Sequence, residues 1–536
     1  MSARGSCAAG LVALALAAGP SLASAEAPSW SQPFDLAANT STGGVGIDGE
    51  GTVTAAWSIS GMRQAFVATR PAGAPEFATA VELGGPGSVA PELLVNEAGA
   101  TAVVWTEEFQ DCGFAMFCAT RLWMRLRPQP TAEFGAPVLL TERATDHPSI
   151  AMNERGQLVV AWTTVDGAVE VAQGSVGGGM GAARELQPVR EGERPWTTSA
   201  AIGANGAAMV AWPTISQVQP PLRAAYRPAG GEFGPAEDAS PSGSAGAFGP
   251  TPAVIVDSRG VATIAYTTAA GGTSLTERYP DRGFSAPSPL VPGGAVRFAL
   301  DGAGNEFAYW EADTSNTAPV QSQPHAMVRR TAGVWGRPYA ILPPNVHPEI
   351  DLDERGNAIA LYVKRGGGAQ HLHAATLTRF DVMERPQKLT DVATFVNQVS
   401  VNDAGEAVAL VTEFRDPKAP DGGAVAMIAE RPADGTPVRL SVAAVARKGR
   451  VFARARCDEV CRLRASLRLG RGRAATAKRT RPVTLRTGHS RRLSMSLGKR
   501  MRARLRRGRP IRLTLRAVDA AGNVRTVRRP IAAPKS

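Results

Sequence analysis

The chain has 536 residues, of which 44% are hydrophobic and 20% charged, with a formal net charge of +12. That length can bury a large core in more than one domain, and so apolar a composition excludes a wholly disordered chain. After residue 25 no stretch approaches the roughly 18 apolar residues of a spanning helix, so we expect no transmembrane anchor.

Residues 1–25 read as an export signal. Arg4 supplies a short basic start, Cys7 to Gly19 an apolar core, and Ala23-Ser24-Ala25 a small-residue cleavage site. The mature protein is therefore expected to be secreted, extracellular or associated with the cell surface. Cys112, Cys118, Cys457 and Cys461 then remain, in two close pairs. In an exported chain that spacing suggests two local disulfides rather than a zinc site.

Residues 26–440 carry an internal repeat of about 50 residues. Gly51, Gly99, Gly156, Gly206, Gly260, Gly304, Gly356 and Gly405 each close an apolar–turn–apolar segment. Three residues before them stand Asp48, Asn96, Asn153, Gly203, Asp257, Asp301, Asp353 and Asn402. Six residues after them stand Trp57, Trp105, Trp162, Trp212, Tyr266, Trp310, Tyr362 and, in the last copy, Val411. An Asx at the first turn position bonds the backbone two residues on, and a glycine at the fourth accepts positive φ. Asn or Gly fills half of the Asx positions, which favours a tight hairpin over calcium ligation.

The strand after each turn is apolar on both faces, as in Leu158 to Trp162, so it must lie between packed layers. A third strand follows, and a fourth is signalled by an aromatic-small-x-Pro motif, for example Phe134 to Pro137 and Trp335 to Pro338. Four strands in about 50 residues is the size of a propeller blade. Trp30-Ser-Gln-Pro33 matches the fourth-strand motif but precedes the first copy, which suggests that it completes the last blade. The expectation is an all-β chain with an eight-bladed propeller, or seven blades if the divergent last copy stands apart.

His147-Pro148 and His347-Pro348 occupy equivalent places in copies three and seven. Together with Asp111, Phe114, Met116 and Phe117 of the Cys112–Cys118 loop, they are placed at one mouth of the central channel as candidate ligand-binding residues. A His-Pro pair also serves as a plain strand start, as Ala90-Pro91 and Thr251-Pro252 do elsewhere. His371-x-His373 lies on one strand face without an evident third ligand. No metal site and no cofactor are expected.

Residues 441–536 change character. They hold 29 Lys and Arg against Asp458, Glu459 and Asp519, a net of +26, so residues 1–440 carry −14. Leu463, Ala465, Leu467 and Leu469 alternate with Arg462, Arg464 and Arg468, the pattern of a sheet with one dry and one wet face. With Cys457-x-x-x-Cys461 and the closing Asp519-Ala-Ala-Gly522-Asn523, this region resembles the immunoglobulin-like domains that end many exported actinobacterial proteins. The resemblance covers about 90 residues and implies a small β-sandwich with a surface role, not a reaction. Arg502, Arg504, Arg506, Arg507 and Arg509 form its densest basic run and are assigned to polyanion binding.

No nucleophile elbow, metalloprotease helix or phosphate loop is present. The chain therefore reads as a secreted, monomeric, non-enzymatic binding or scaffold protein. Its expected partner is an anionic cell-surface polymer or glycan. Nucleic acid is not expected as the natural partner, since no aromatic-interleaved stacking surface is visible. The alternative is a glycosidase or lyase with its site at the channel mouth, which requires a pair of carboxylates there.

Overall fold

The computed structural model describes residues 28–532 apart from 61, 109–118, 145–147, 216–220, 241–250, 269–271, 292–293, 314–321, 332, 367–368, 380, 392–393, 416–422 and 470–476. The export segment, His147 and the loop carrying Asp111, Cys112, Phe114, Met116, Phe117 and Cys118 lie outside the described residues.

The chain is all-β and dominated by repeated antiparallel sheets of four or five strands, the organisation of a β-propeller. In the third copy Ser149–Met152, Gln157–Thr163 and Val169–Ser175 pair in order. Gly179–Met180 and Arg184–Gln187 share the fourth place, both on Val169–Ser175. Sheets of this kind begin at Thr40–Ile47, Ser88–Val95, Ser149–Met152, Ser199–Ile202, Ala253–Val256, Val296–Leu300 and Pro348–Leu352. In the last, Thr394–Val401, Ala407–Phe414 and Ala424–Arg431 take their fourth strand from the other end of the chain. Phe34–Ala38 pairs antiparallel with Ala424–Arg431, Phe34 opposite Ile428 and Ala38 opposite Val425. Just before it Trp30 is buried, its backbone held in both directions by the Gln387 amide at 2.8 and 3.0 Å. The first strands of successive sheets lie side by side, and Thr394–Val401 packs against both Pro348–Leu352 and Thr40–Ile47.

The turn chemistry explains why the motif recurs. All eight turn glycines have φ between +70° and +89°, a region open to glycine at little cost. In the first copy the Asp48 Oδ1 accepts the Glu50 and Thr52 N–H groups at 3.0 and 2.7 Å. The Asn copies do more. Their Nδ2 atoms reach the next turn: Asn96 donates to the Glu154 carbonyl (3.2 Å), Asn153 to that of Gly203 (3.0 Å) and Asn402 to that of Asp48 (2.8 Å). The last of these joins the eighth turn to the first.

The second strand is buried on both faces because each face packs on a different neighbour. Val160 and Trp162 join Val104, Leu122 and Met124 of the preceding sheet. Val159 and Ala161 join Ala208, Val210 and Trp212 of the following one. A further repeat, unread in the sequence, is an arginine closing the third strand. Arg70, Arg127, Arg227 and Arg329 lie 4.9–5.7 Å from the rings of Phe77, Phe134, Phe233 and Trp335. Phe134 and Trp335 open aromatic-small-x-Pro segments, while Phe77-Ala-Thr-Ala80 and Phe233-Gly-Pro-Ala236 keep the aromatic without that proline, so it is the aromatic that builds the cation–π seat. Each guanidinium also reaches the preceding sheet. Arg127 bonds the hydroxyls of Thr54 (2.7 Å) and Thr69 (2.5 Å), Arg227 the Gln173 amide (2.9 Å), Arg329 the Glu277 carboxylate and Arg70 that of Glu430.

Beyond residue 439 two sheets share one core. Leu440–Arg447, Arg450–Cys457 and Ser490–Ser496 form the first. Cys461–Arg468, Ile511–Asp519, Val524–Ile531, Ala477–Arg479 and Val483–Leu485 form the second. Leu463, Ala465, Leu467, Leu513 and Leu515 of one pack on Val451, Ala453, Leu493 and Met495 of the other. A disulfide joins Cys457 to Cys461 across the turn between the sheets. The densest basic run is not strand: Lys499–Arg506 is a helix, with Met501 and Leu505 one turn apart on its buried face.

Candidate functional site

A cleft of about 1000 Å³ lies where the ring meets the sandwich. One wall is the turn side of copies six and seven, with Phe307, Val328, Tyr339, Leu352 and Leu377 as its apolar floor. The other wall is the outer face of the second sandwich sheet, contributing Arg462, Arg464 and Arg516. The ring adds Arg330, Arg355 and Arg379. Four carboxylates also border the cleft, but two are committed elsewhere. Glu306 pairs with the Arg329 guanidinium, and Asp301 accepts the amide and backbone N–H of Asn305 at 2.7 and 2.8 Å. Glu354 and Asp381 remain against six arginines. Burial, and then the neighbouring charges of Arg355 and Arg462, lower the Arg379 pKa despite the opposing pull of Asp353. Burial likewise pushes the Tyr339 hydroxyl up to about 12, so it stays a neutral donor.

The arginines of the sandwich wall follow from strand alternation. With Leu463, Ala465, Leu513, Leu515 and Ala517 facing the core, every even-numbered residue of these strands faces out. Pairing sets Arg464 directly opposite Arg516 and Arg468 opposite Arg512, with Arg528 on the next strand beside Thr514. No acidic side chain stands at the outward positions of these three strands. Like charges directly opposite one another in a sheet destabilise it. This face therefore carries an uncompensated positive field at the mouth of a cleft, the arrangement that concentrates anions.

The five arginines singled out in the sequence lie on or just after the helix. Arg504, Arg507 and Arg509 border a shallow concavity of about 430 Å³ with Arg500, while Arg502 and Arg506 do not line it. His347 is exposed, its Nδ1 2.6 Å from the Glu311 carboxylate. His371 and His373 are engaged in the sheet: His373 stacks on Tyr362 at 5.5 Å, and the His371 Nδ1 lies 2.9 Å from the Asp391 carboxylate. Carboxylates do gather on the ring, but at the turns. Glu97 accepts the Asp403 N–H at 2.8 Å, and Glu154 accepts the Glu97 N–H at 2.9 Å. The cleft itself was not visible in the sequence, because its two walls come from separate stretches, Asp301 to Asp381 and Arg462 to Val518. The alternating Arg462, Arg464 and Arg516 were its one sequence signal.

No known family matches the chain, and no curated protein matches it. Solved structures similar to it include the BP39L lectin from Burkholderia pseudomallei, at 14% identity and a TM-score of 0.44, covering 67% of this chain and all of that one. They also include the Dos1 propeller, at 9% and 0.44, covering 75% and 94%, and an ulvan lyase of a polysaccharide lyase family, at 12% and 0.41, covering 74% and 95%. None of these likenesses bears on function.

Proposed function

We propose that this chain is an exported, non-enzymatic binding protein. In this reading an eight-bladed propeller and a basic immunoglobulin-like sandwich together hold an anionic polymer of the cell surface. The observation that carries the reading is the outer sandwich face, where arginines oppose arginines without a single carboxylate and open onto the cleft. Side-by-side first strands closing from the eighth sheet onto the first support the blade count. The Cys457–Cys461 disulfide suits an oxidising compartment. Among the described residues no helix is long and apolar enough to cross a membrane.

The partner is a chain bearing carboxylate or phosphate groups, since planar guanidinium forks match both geometries. The test is affinity of the full chain for polygalacturonate and for a teichoic acid, with neutral dextran as control. Binding should fall steeply as salt rises from about 50 to about 500 mM, because the screening length shortens. Equal binding to dextran, or affinity indifferent to salt, overturns the reading. Release of shortened or unsaturated sugars during incubation would instead favour the carbohydrate-active alternative.

A further inference from the structure

The Asp-x-x-Gly-Asn turn occurs in both the ring and the sandwich, with one difference. At Asp301 and Asp353 the Oδ1 atom accepts the N–H four residues on, at 2.8 and 2.7 Å. The Oδ2 atom accepts the side-chain amide of that same asparagine, at 2.7 and 2.6 Å. At Asp519 the first bond is kept, Oδ1 accepting the Asn523 N–H at 2.7 Å. The second is not. The Asn523 Nδ2 turns away and donates to the carbonyls of Asp434 (2.8 Å) and Thr436 (3.2 Å).

Asp519 is thus fully buried, 0% exposed, with an Oδ2 that has no hydrogen-bond partner. A buried carboxylate oxygen left unpaired is costly. What it meets is more negative charge: Asp434, Glu459 and Asp519 each offer a carboxylate oxygen, all within 4.8 Å of one another. Asp434 and Glu459 also border a cavity of about 30 Å³, room for one water-sized sphere. Arg355 and Arg431 border the same cavity, but they donate to the Ala404 and Gly405 carbonyls at 3.3 and 3.1 Å. The three carboxylates thus bring their oxygens toward one point, an arrangement suited to a cation.

We propose that Asp434, Glu459 and Asp519 form a calcium site that fastens the sandwich to the ring. All the donors are oxygens, with neither sulfur nor imidazole among them, which selects a hard cation. Calcium suits the irregular geometry of three carboxylates drawn from separate loops better than magnesium, which demands a near-ideal octahedron. The three come from the parts that must be joined. Asp434 lies in the linker between Ala424–Arg431 of the ring and Leu440–Arg447 of the sandwich. Glu459 lies in the disulfide-closed turn, and Asp519 ends Ile511–Asp519. Beside them the Ala520 and Asp519 carbonyls accept from Asn357 (3.2 Å) and Arg379 (3.1 Å) of the ring. An ion here fixes the linker and both sandwich loops against copy seven.

The test uses the full chain, stripped with EDTA and titrated with calcium chloride alone by calorimetry at neutral pH. One ion should bind per chain, with a dissociation constant on the order of 10⁻⁴ to 10⁻³ M, the range of extracellular calcium modules. The melting temperature should rise with calcium. Glu459→Gln and Asp519→Asn keep side-chain shape, and Asn at 519 still accepts the turn N–H. Each should weaken calcium binding by about tenfold or more, since affinity follows ligand charge. In EDTA each should melt at or above the parent, because repulsion is relieved, which also shows that the variants fold. The proposal is overturned if no calcium binds at about 10 mM, or if calcium raises the Glu459→Gln melting temperature as much as the parent's. Since no polymer is present, the result stands apart from the binding reading above.

Discussion

Glu97 is the residue with the clearest consequence for the ring. It is held at the turn side between copies one, three and eight, taking the Asp403 N–H while its own N–H goes to Glu154. Burial is the main reason that its carboxyl is pushed up to about 7, with the charges of Asp403, Glu154 and Asp48 adding to it against the Asp403 N–H bond. A carboxyl whose folded pKa is raised favours the fold most when protonated. Its contribution is complete below the ordinary value of 4.5 and is lost as pH rises through about 7. The melting temperature should therefore fall across that window. In Glu97→Gln the amide oxygen can still take the Asp403 N–H, so the fall should flatten and the variant should melt above the parent at about pH 8. A variant that follows the parental pH profile unchanged would show that Glu97 titrates normally.

At the scale of elements, the ring is held by what crosses from one sheet to the next. Arg127 bonds Thr54 and Thr69 of the first sheet and Thr101 of its own at 2.5–2.9 Å, and it is almost fully buried. Arg127→Met keeps the length of the stem but leaves three hydroxyls without their donor. We expect a loss of about 2–3 kcal/mol in urea unfolding, since each unsatisfied buried group costs about 1–3 kcal/mol. The leading segment tests closure. Trp30 is 6% exposed and packs on Leu361, Leu372 and Leu389 of copy seven, while the next residues extend the eighth sheet. Trp30→Ala should cost about 3–4 kcal/mol, as deletion of a buried tryptophan does. It should also raise hydrogen exchange in Ala424–Arg431, whose outer edge that segment covers. Exchange unchanged in that strand would mean that closure does not depend on the anchor.

For the whole molecule, charge is divided between two bodies that face each other. The acidic ring presents its turns to the basic sandwich, and the cleft lies at their meeting. Arg464→Glu with Arg516→Glu alters two exposed positions that oppose each other on the sheet, so the fold should survive. If the cleft holds an anionic polymer, that pair should lower affinity by about tenfold or more and reduce its salt dependence. The same two reversals at Arg502 and Arg506, outside both concavities, should do less. Equal losses from the two pairs would point to a diffuse field instead of a cleft.

Much of the architecture was legible along the chain. Each copy repeats a local device, a turn needing Asx and Gly and then a strand buried on both sides, and local chemistry is written in neighbouring residues. Even the completion of the last sheet could be read, because Trp30-Ser-Gln-Pro33 leads into a fourth strand, Phe34–Ala38, without a copy of its own. The sandwich was equally open, since alternation at Leu463 to Arg468 separates a dry face from a wet one. Other features depended on contacts between distant segments. The asparagines that tie turn to turn and the arginines seated on Phe77, Phe134, Phe233 and Trp335 act across sheets. The helix at Lys499–Arg506 appears because Met501 and Leu505 can reach the core from one face, a short amphipathic signal hidden among arginines. Asp434, Glu459 and Asp519 span 85 positions, and the lining of the cleft runs from Asp301 to Val518. Sequence by itself determined the repeat, the turns and the basic face, since each follows from residues within a few positions of one another. Only the tertiary structure decided where the sandwich sits, and with it the cleft and the carboxylate cluster, because these exist only where surfaces from remote segments meet.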